Sequence, residues 1–141
     1  LAESPAGGAE LVAVHDGARA AIAAADFAAT IAAAAARGGA ILGRTVTDTV
    51  KVVADGRVVR TMDRTRLFRA ETPQVFRRAD LERALEAARE HRFVGTDEAS
   101  LVERLGEVEI AAVEASRPNP KVTWAEDLEA LERLLLGAEE R

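Results

Sequence analysis

Apolar and small residues in the first third of the chain fall into three runs. Residues 11–14 (LVAV) form a short apolar run, residues 20–37 form an alanine-dominated stretch of helical length, and residues 40–42 resume an extended apolar run. The two glycines at 38–39 stand where glycine commonly ends a helix. A strand, a helix and a second strand in succession predict a right-handed parallel unit.

The next segment predicts a β-hairpin. Residues 49–61 read TVKVVADGRVVRT, which is two β-branched runs around Asp55 and Gly56. An Asp-Gly pair is a strong hairpin signal because both central residues of a type I′ turn have positive φ. A two-stranded hairpin is only marginally stable alone in water. We therefore expect this hairpin to lie against another surface, and a partner subunit is one candidate.

The remaining pattern predicts three helices and one strand. These are an amphipathic helix over residues 80–92, a short helix over residues 96–105 capped by Thr96, a strand over residues 108–113, and a final helix that a capping box at residues 123–126 (TWAE) opens and that Gly137 ends.

The composition mainly excludes classes of protein and of site. The 141 residues are 48% hydrophobic, enough for one domain with a core over residues 1–141. No charge-free apolar window reaches the length of about eighteen residues that a membrane span needs, so we expect a cytoplasmic protein with no membrane association. The absence of cysteine excludes disulfides and thiolate catalysis. A net charge of −5 argues against general nucleic-acid binding, although it allows a local basic pocket for a phosphorylated small molecule.

Two common catalytic patterns are excluded. Residues 38–45 (GGAILGRT) nearly match a phosphate-binding loop, but that loop joins a strand to a helix, whereas residues 40–42 are a strand followed by a hairpin. Histidine occurs only at positions 15 and 91 and no G-x-S-x-G motif is present, so a hydrolytic triad is not supported. His15, at the end of a strand, is interpreted as a structural group.

Asp16 is the acid that most indicates function. It follows the strand over residues 11–14, and ligands bind beyond the carboxyl ends of strands in open parallel sheets. An acid there suits magnesium and phosphate chemistry, while a helix N-cap explains it equally well on local grounds. Hydroxyl and cationic residues, which suit a phosphorylated polyol, cluster at predicted loops over residues 45–49, 63–66, 71–74, 96–97 and 119–123.

The order of these clusters resembles that of a known family. The segments VHDGAR, TVTDTVK, MDRTRLFRAETPQ, TDEASLVERLG and NPKVTWAEDLEALERLL resemble the C-terminal part of the 2-C-methyl-D-erythritol 4-phosphate cytidylyltransferases, from about Leu11 to Leu136. The resemblance implies an α/β, Rossmann-like nucleotide-diphospho-sugar transferase fold with a mostly parallel sheet and a β-hairpin dimerisation arm over about residues 48–66. It also implies a homodimer that uses Mg²⁺ to transfer CMP from CTP to methylerythritol phosphate, releasing pyrophosphate, in non-mevalonate isoprenoid biosynthesis.

The resemblance also implies roles for individual residues. Asp16 corresponds to the magnesium-binding aspartate beside the sugar phosphate, and Gly17 and Ala18 let the nucleotide approach closely. Arg64 reaches across the dimer to clamp the substrate phosphate of the neighbouring subunit, and Lys121 stabilises charge near the reacting phosphates. Those two are the implied catalytic residues. The other implied methylerythritol phosphate contacts are Arg19, Thr49, Thr72 and Thr96.

This reaction suits the residues present. In-line attack on the α-phosphorus of CTP needs no covalent nucleophile, only two anions held together and their developing charge neutralised. The chain departs from the family in Ala20, where proline usually follows the arginine, and in lacking any match to the glycine-rich CTP loop and the first strands. We therefore expect an N-terminally truncated domain that is weakly active or inactive alone. The alternatives are a pentitol (ribitol) 5-phosphate cytidylyltransferase and a non-catalytic dimerisation or binding remnant.

Overall fold

Helices and strands follow one another along the chain largely as the hydrophobic pattern predicts. The computed structural model describes residues 10–139. In chain order the elements are β1 (Leu11–Val14), α1 (Ala24–Arg37), β2 (Gly38–Thr45), β3 (Lys51–Ala54), β4 (Arg57–Thr61), a 3₁₀ turn (Arg64–Arg66), β5 (Phe68–Arg77), α2 (Arg78–Glu90), α3 (Glu98–Glu103), β6 (Glu109–Glu114) and α4 (Asp127–Glu139). No helix among these residues combines the length and the apolar character that a bilayer crossing requires.

The main sheet has four strands in the order β1-β5-β2-β6. β5 is antiparallel to both β1 and β2, whereas β2 is parallel to β6. Three strands therefore run in one direction and β5 runs in the other, which makes the sheet mixed. β1 and β2 run parallel, as the predicted strand–helix–strand unit requires, but they are not neighbours because β5 lies between them.

β5 is the element that the hydrophobic pattern does not predict. Residues 71–74, expected in a loop, lie within this ten-residue strand. Gln74 is paired with Ile41 and Ala70 with Gly43, so residues 71–73 lie opposite Leu42 alone and form a bulge. A bulge disrupts the alternation of side chains between the two faces of a strand. The polar ETPQ segment is therefore a strand whose side-chain pattern is not the usual one.

Helices cover both faces of the sheet. Phe76 in β5 is fully buried against Leu81 of α2 and Val102 of α3. Its neighbour Val75, which is also fully buried, packs on the other face against Ala34 of α1. Successive residues of a strand point to opposite faces, so β5 supplies a core residue to each layer. This is the α/β layering expected from the sequence.

The near match to a phosphate-binding loop is part of a strand, as predicted. β2 covers GGAILGRT completely and is followed by the hairpin. Its glycines serve packing: a Cβ on Gly39 would lie 2.8 Å from Cδ1 of the Phe76 ring, too close for any larger residue without rearrangement. Gly39 is thus explained by the close approach of Phe76 to β2.

The predicted hairpin is confirmed. β3 and β4 pair as a two-stranded sheet separate from the main one. Asp55 has φ 50° and Gly56 has φ 73°, so both central residues have the positive φ that a type I′ turn requires. Val53, Val58 and Val59 are 58%, 64% and 61% exposed. The hairpin therefore presents apolar surface that the described chain does not cover.

Two helix caps differ from the predicted ones. Asp97, not Thr96, caps α3, since its carboxylate accepts a hydrogen bond from the Ser100 N–H. α4 begins at Asp127, after the predicted capping box. The Asp127 carboxylate accepts hydrogen bonds from the backbone N–H groups of Thr123 and Trp124 at 2.8 and 2.9 Å, and these bonds hold its pKa below the ordinary value. In both places an aspartate other than the predicted capping residue accepts the backbone hydrogen bonds: Asp97, one residue after Thr96, and Asp127, one residue after the predicted capping box.

Candidate functional site

A cavity of about 460 Å³ lies at the carboxyl end of β1. Its wall combines the loop after β1, the bulged part of β5, the start of α3, and Lys121 from the loop before α4. Carboxyl ends of strands are the usual ligand sites of Rossmann-like sheets. The residues that line the cavity are Val14, His15, Asp16, Arg19, Ala70, Glu71, Thr72, Gln74, Thr96, Asp97, Glu98 and Lys121.

Both carboxylate oxygens of Asp16 are hydrogen-bonded. Lys121 Nζ lies 2.8 Å from Oδ2, and the Ala18 N–H donates to Oδ1 at 3.1 Å. The hydrogen bond from Lys121, then the one from Ala18, and the charges of Lys121 and Arg19 hold the pKa of Asp16 below its ordinary value of 3.8. Asp16 is therefore an anion at neutral pH. It is not a helix cap, because α1 begins only at Ala24.

A chain of hydrogen bonds connects the loop after β1 to β5. The Asp16 N–H donates to Thr72 Oγ1 at 3.0 Å, and Thr72 Oγ1 lies 3.1 Å from His15 Nδ1. On the other side of the ring, His15 Nε2 lies 3.2 Å from the carbonyl oxygen of Arg19. The resemblance assigns Asp16, Thr72 and Arg19 to substrate binding. Asp16 bonds directly to Thr72, and His15 joins Thr72 to Arg19.

The segment that carries Lys121 also holds Arg19. Arg19 NH1 donates to the carbonyl oxygen of Asn119 at 2.7 Å. The side chain of Asn119 is buried and donates through Nδ2 to the carbonyl oxygen of Thr72 at 3.1 Å. Asn119 therefore connects the loops that bear Arg19, Thr72 and Lys121, which brings two cations to one cavity.

Gln74 connects β5 to the start of α3. Its side chain is buried, with Nε2 donating to Asp97 Oδ2 at 2.8 Å and Oε1 accepting from the Ala99 N–H at 2.9 Å. The same Asp97 caps α3 through Ser100. These bonds fix the turn that carries Thr96 and so hold that residue at the cavity wall.

The structure brings together most of the site residues expected from the sequence. Asp16, Arg19, Thr72, Thr96 and Lys121 all line the cavity. Gly17 and Ala18 follow Asp16 in the same loop and do not line it. Thr49 and Arg64 lie elsewhere: Thr49 is exposed before β3, and Arg64, in the 3₁₀ turn, donates a hydrogen bond to the carbonyl oxygen of Thr47.

The sequence alone did not single out several residues of this wall. Glu71, Gln74 and Asp97 belong to polar clusters that the sequence predicts in loops, and Glu98 follows one of these clusters. The bulge in β5 lets the consecutive residues Glu71 and Thr72 both reach the cavity, which no local pattern indicates. The polar clusters are the available signal, and only the tertiary structure shows that they meet.

Buried polar atoms without an intramolecular partner concentrate at this site. Among the residues described, Arg19 Nε, Glu71 Oε2 and Asn119 Oδ1 are buried and accept or donate no hydrogen bond, and Arg44 NH1 is the further example. Nearly all buried polar atoms in folded proteins have a partner. Arg19 and Glu71 line the cavity and Asn119 bonds to Arg19 and Thr72, so three of these atoms lie in or next to its wall.

The cavity wall has more acidic than basic side chains. Asp16, Glu71, Asp97 and Glu98 contribute four carboxylates, whereas Arg19 and Lys121 contribute two cations. Arg69, which does not line the cavity, pairs with Glu71 at 3.1 Å and offsets its charge. No group of three or more His, Cys, Asp or Glu side chains within residues 10–139 is arranged to hold a metal ion by itself. Any cation at this site would therefore depend on a ligand for part of its coordination.

Comparison with known proteins gives one consistent result. The family model for 2-C-methyl-D-erythritol 4-phosphate cytidylyltransferase (IspD) matches residues 3–136. A curated enzyme of that name from Syntrophotalea carbinolica is 44% identical over 119 residues, which is 84% of this chain and 51% of the relative. Another from Pelotomaculum thermopropionicum is 41% identical over 93% of this chain and 55% of the relative. The chain thus spans about half the length of the curated relatives it matches.

Solved structures agree with the sequence comparison. A crystal structure of 4-diphosphocytidyl-2C-methyl-D-erythritol synthase matches with a TM-score of 0.75 and 37% identity, covering 89% of this chain and 56% of the other. The 2-C-methyl-D-erythritol 4-phosphate cytidylyltransferase of Thermus thermophilus matches with a TM-score of 0.80 and 32% identity, covering 89% of this chain and 62% of the other. These matches confirm the Rossmann-like transferase fold expected from the sequence.

Proposed function

Because the chain belongs to the 2-C-methyl-D-erythritol 4-phosphate cytidylyltransferase family, we propose that its protein transfers CMP from CTP to methylerythritol phosphate. In this reaction a phosphate oxygen of the sugar phosphate attacks the α-phosphorus of CTP. A new P–O–P bond forms, the bond to the β-phosphate breaks, and pyrophosphate leaves with the electron pair of that bond. The products are the cytidyl diphosphate derivative and pyrophosphate, which belong to non-mevalonate isoprenoid biosynthesis.

The observation that carries this proposal is the meeting of Asp16, Arg19, Thr72, Thr96 and Lys121 in one polar cavity. A sugar phosphate offers hydroxyl groups and an anionic phosphate to such a site. Arg19 and Lys121 supply charge-assisted hydrogen bonds for the phosphate, and Thr72 and Thr96 supply hydroxyl groups for the polyol. We propose that Lys121 also stabilises the charge that develops during the transfer.

The charge on the cavity wall supports a requirement for Mg²⁺. Asp16, Asp97 and Glu98 remain as three carboxylates beside two cations once Arg69 offsets Glu71, so a phosphorylated substrate and CTP would add negative charge to a wall that is already anionic. Mg²⁺ prefers oxygen ligands, and in nucleotide sites it is bound by one or two carboxylates together with substrate phosphates. Asp16, ionised and at the mouth of β1, fits that role. When bound, the ion would offset the negative charge of the Asp16 carboxylate and of the substrate phosphates.

We further propose a homodimer in which the arm of residues 48–66 serves the neighbouring subunit. The exposed valines of the hairpin and its marginal stability as an isolated pair of strands support a covering partner. Arg64 and Thr49 lie in this arm and do not line the cavity of their own chain. In a dimer, Arg64 would supply the positive charge that the cavity wall lacks.

The decisive experiment measures pyrophosphate release with CTP, Mg²⁺ and methylerythritol phosphate. We would assay the 141-residue chain alone and a fusion that places the N-terminal region of the Syntrophotalea carbinolica relative before it. We expect turnover by the fusion, and weak or no turnover by the chain alone. A fusion that folds and binds CTP but releases no pyrophosphate would refute the proposed function.

Substitutions in the fusion test whether the cavity at Asp16 is the catalytic site. Asp16→Asn removes the charge that the proposed metal needs and is expected to abolish turnover. Asp80→Asn is the matched control, because Asp80 lies in α2 outside the cavity and forms an ion pair with Arg83 at 3.3 Å. Equal turnover by the two variants would show that Asp16 does not belong to the catalytic site. Ribitol 5-phosphate in place of methylerythritol phosphate tests the pentitol alternative, which the names of the relatives do not favour.

Mixing two inactive variants tests the exchanged arm. Subunits carrying Arg64→Ala keep Asp16, and subunits carrying Asp16→Asn keep Arg64, so a mixed dimer contains one site with both groups. Random reassortment makes half of the dimers mixed, each with one intact site in two, and is expected to restore about a quarter of full activity. No recovery after exchange would show that Arg64 acts within its own chain. The cytoplasmic location stays a prediction.

A further inference from the structure

We propose that Arg117 is a positioning residue of the substrate site, because its guanidinium holds the loop that carries Asp16 and Arg19. This β1–α1 loop consists of residues 15–23. Arg117 does not line the cavity, so it acts through the residues that it holds. The restraint on the loop rests on hydrogen bonds alone, whereas its effect on turnover rests on the proposed function.

Arg117 bonds to two consecutive backbone carbonyl groups of the β1–α1 loop. Its Nε donates to the carbonyl oxygen of Ala21 at 3.0 Å, and its NH2 donates to that of Ile22 at 3.2 Å. A guanidinium presents its N–H donors in a fixed planar fork, so one arginine can bond to both carbonyl groups, whereas the donors of a lysine all lie on one atom. The two bonds therefore fix the path of the chain just before α1.

Few other contacts restrain this part of the loop. Among residues 10–139, the only other hydrogen bond to residues 20–23 is the one that the Phe27 N–H donates to the Ala23 carbonyl at 3.1 Å. Three of residues 20–23 are alanines, whose small side chains offer little packing, and Gly17 earlier in the loop gives the backbone further freedom. Without Arg117, we therefore expect the loop to adopt several conformations.

The same two bonds join the loops that supply cations to the cavity. Arg117 and Lys121 belong to the loop over residues 115–126, and Lys121 Nζ lies 2.8 Å from Asp16 Oδ2 in the β1–α1 loop. If the β1–α1 loop moves, Asp16 and Arg19 lose their places beside Lys121. Substrate then binds only the molecules in which the loop is in place, which raises KM, whereas saturating substrate restores the loop and keeps kcat.

The first test measures motion of the loop in the 141-residue chain without substrate. ¹⁵N relaxation and relaxation dispersion report backbone motion from picoseconds to milliseconds. We expect the amides of residues 18–23 to be rigid in the unsubstituted chain and to show order parameters below about 0.6, or millisecond exchange, in Arg117→Met. Arg89→Met is the matched control, since Arg89 is exposed on α2 and its side chain makes no hydrogen bond or ion pair with any of residues 10–139. Unchanged relaxation in Arg117→Met would overturn the inference.

The second test supplies a different restraint in place of Arg117. Proline fixes φ and so limits the conformations of a loop. Ala20 is exposed, and its N–H donates no hydrogen bond to any of residues 10–139, so Ala20→Pro removes none. In the fusion, Arg117→Met should raise the KM for methylerythritol phosphate about five- to tenfold and keep kcat within about twofold. Adding Ala20→Pro should return KM to within about twofold of the unsubstituted fusion.

Recovery by proline separates positioning from the charge of Arg117 and from a loss of structure. Proline carries no charge, so it cannot replace a direct attraction between Arg117 and the substrate phosphates. Ala20→Pro alone and Arg89→Met should both keep KM within about twofold, and thermal unfolding should show that each variant is folded in the assay. An unchanged KM in Arg117→Met, a raised KM that Ala20→Pro does not lower, or a raised KM in Ala20→Pro alone would refute the positioning role.

Failure of this inference can be told apart from failure of the proposed function. If the fusion turns over and Arg117→Met keeps its KM, the transferase assignment stands and the positioning role falls. If the fusion shows no turnover, the proposed function falls, and the relaxation experiment still decides whether Arg117 restrains the β1–α1 loop.

Discussion

Replacing Gln74 by methionine tests how the cavity wall is held together. The Gln74 side chain is buried, accepts from the Ala99 N–H at 2.9 Å and donates to Asp97 at 2.8 Å. Methionine has a similar length and volume and fills irregular gaps well, so packing is largely kept while both hydrogen bonds are lost. The substitution therefore isolates the contribution of the amide group.

In Gln74→Met, most of the expected loss in the free energy of unfolding comes from the backbone N–H of Ala99. That residue is 2% exposed, so its N–H is left buried without an acceptor, at about 1–3 kcal/mol. Asp97 lines the cavity and can replace its lost donor with water, so it adds little. We expect the free energy of unfolding to fall by about 2 kcal/mol. For a domain of this size that corresponds to a fall of roughly 5–8 °C in Tm.

Urea unfolding and amide exchange measure this effect separately. The urea midpoint gives the global loss, and hydrogen exchange at the Ala99 amide should accelerate more than exchange in α2. Glu103→Met is the matched control, since Glu103 is exposed on α3 and its side chain makes no hydrogen bond or ion pair with any of residues 10–139. A loss below about 0.5 kcal/mol, or an Ala99 amide that remains protected, would refute the argument.

Three further predictions follow from other contacts. Lys121→Met should raise the pKa of Asp16 toward 3.8. Ionised Asp16 stabilises the fold fully above pH 3.8, and this stabilisation is lost as the pH falls through the lower folded pKa, so in the variant it should be lost at a higher pH. A ¹³C NMR titration of the Asp16 carboxyl measures the change, and an unmoved titration would contradict it. Gly56→Ala should destabilise the hairpin by about 1 kcal/mol because φ is 73°, seen as weakened cross-strand NOEs, which intact NOEs would contradict. Asp26→Ala should lower the free energy of unfolding by about 2–4 kcal/mol, since buried Asp26 accepts two hydrogen bonds from Ser116 at 3.0 and 3.1 Å; an unchanged urea midpoint would count against this.

Elements with a strong local signal were predictable from the sequence. The hairpin is the clearest case, because Asp55 and Gly56 specify the turn through positive φ whatever lies around them. The strand that precedes Asp16 was also predictable, since a continuous apolar run is typical of a buried strand. In both cases the information is contained within a few adjacent residues.

β5 was not predictable in the same way because its pattern depends on its partners. Residues 71–74 include a glutamate, a threonine, a proline and a glutamine, which favour a loop when considered locally. In the fold the bulge opposite Leu42 lets Glu71 and Thr72 reach one cavity while Gln74 is satisfied by α3. Because those partners lie more than twenty residues away, only the tertiary structure could reveal them.

In the proposed homodimer, the charge balance of the cavity gives a role to Arg64, which lies outside the cavity of its own chain. Four carboxylates and two cations make a wall suited to polyol hydroxyls but unfavourable for several phosphates. In the proposed transferase the missing positive charge comes from outside this wall, through Mg²⁺ and through Arg64 of a partner. Such a site becomes complementary to its phosphates only when all components are assembled, and charge stabilisation of that kind favours the transition state over the separate substrates. The position of Arg64 outside the cavity of its own chain is compatible with that proposal.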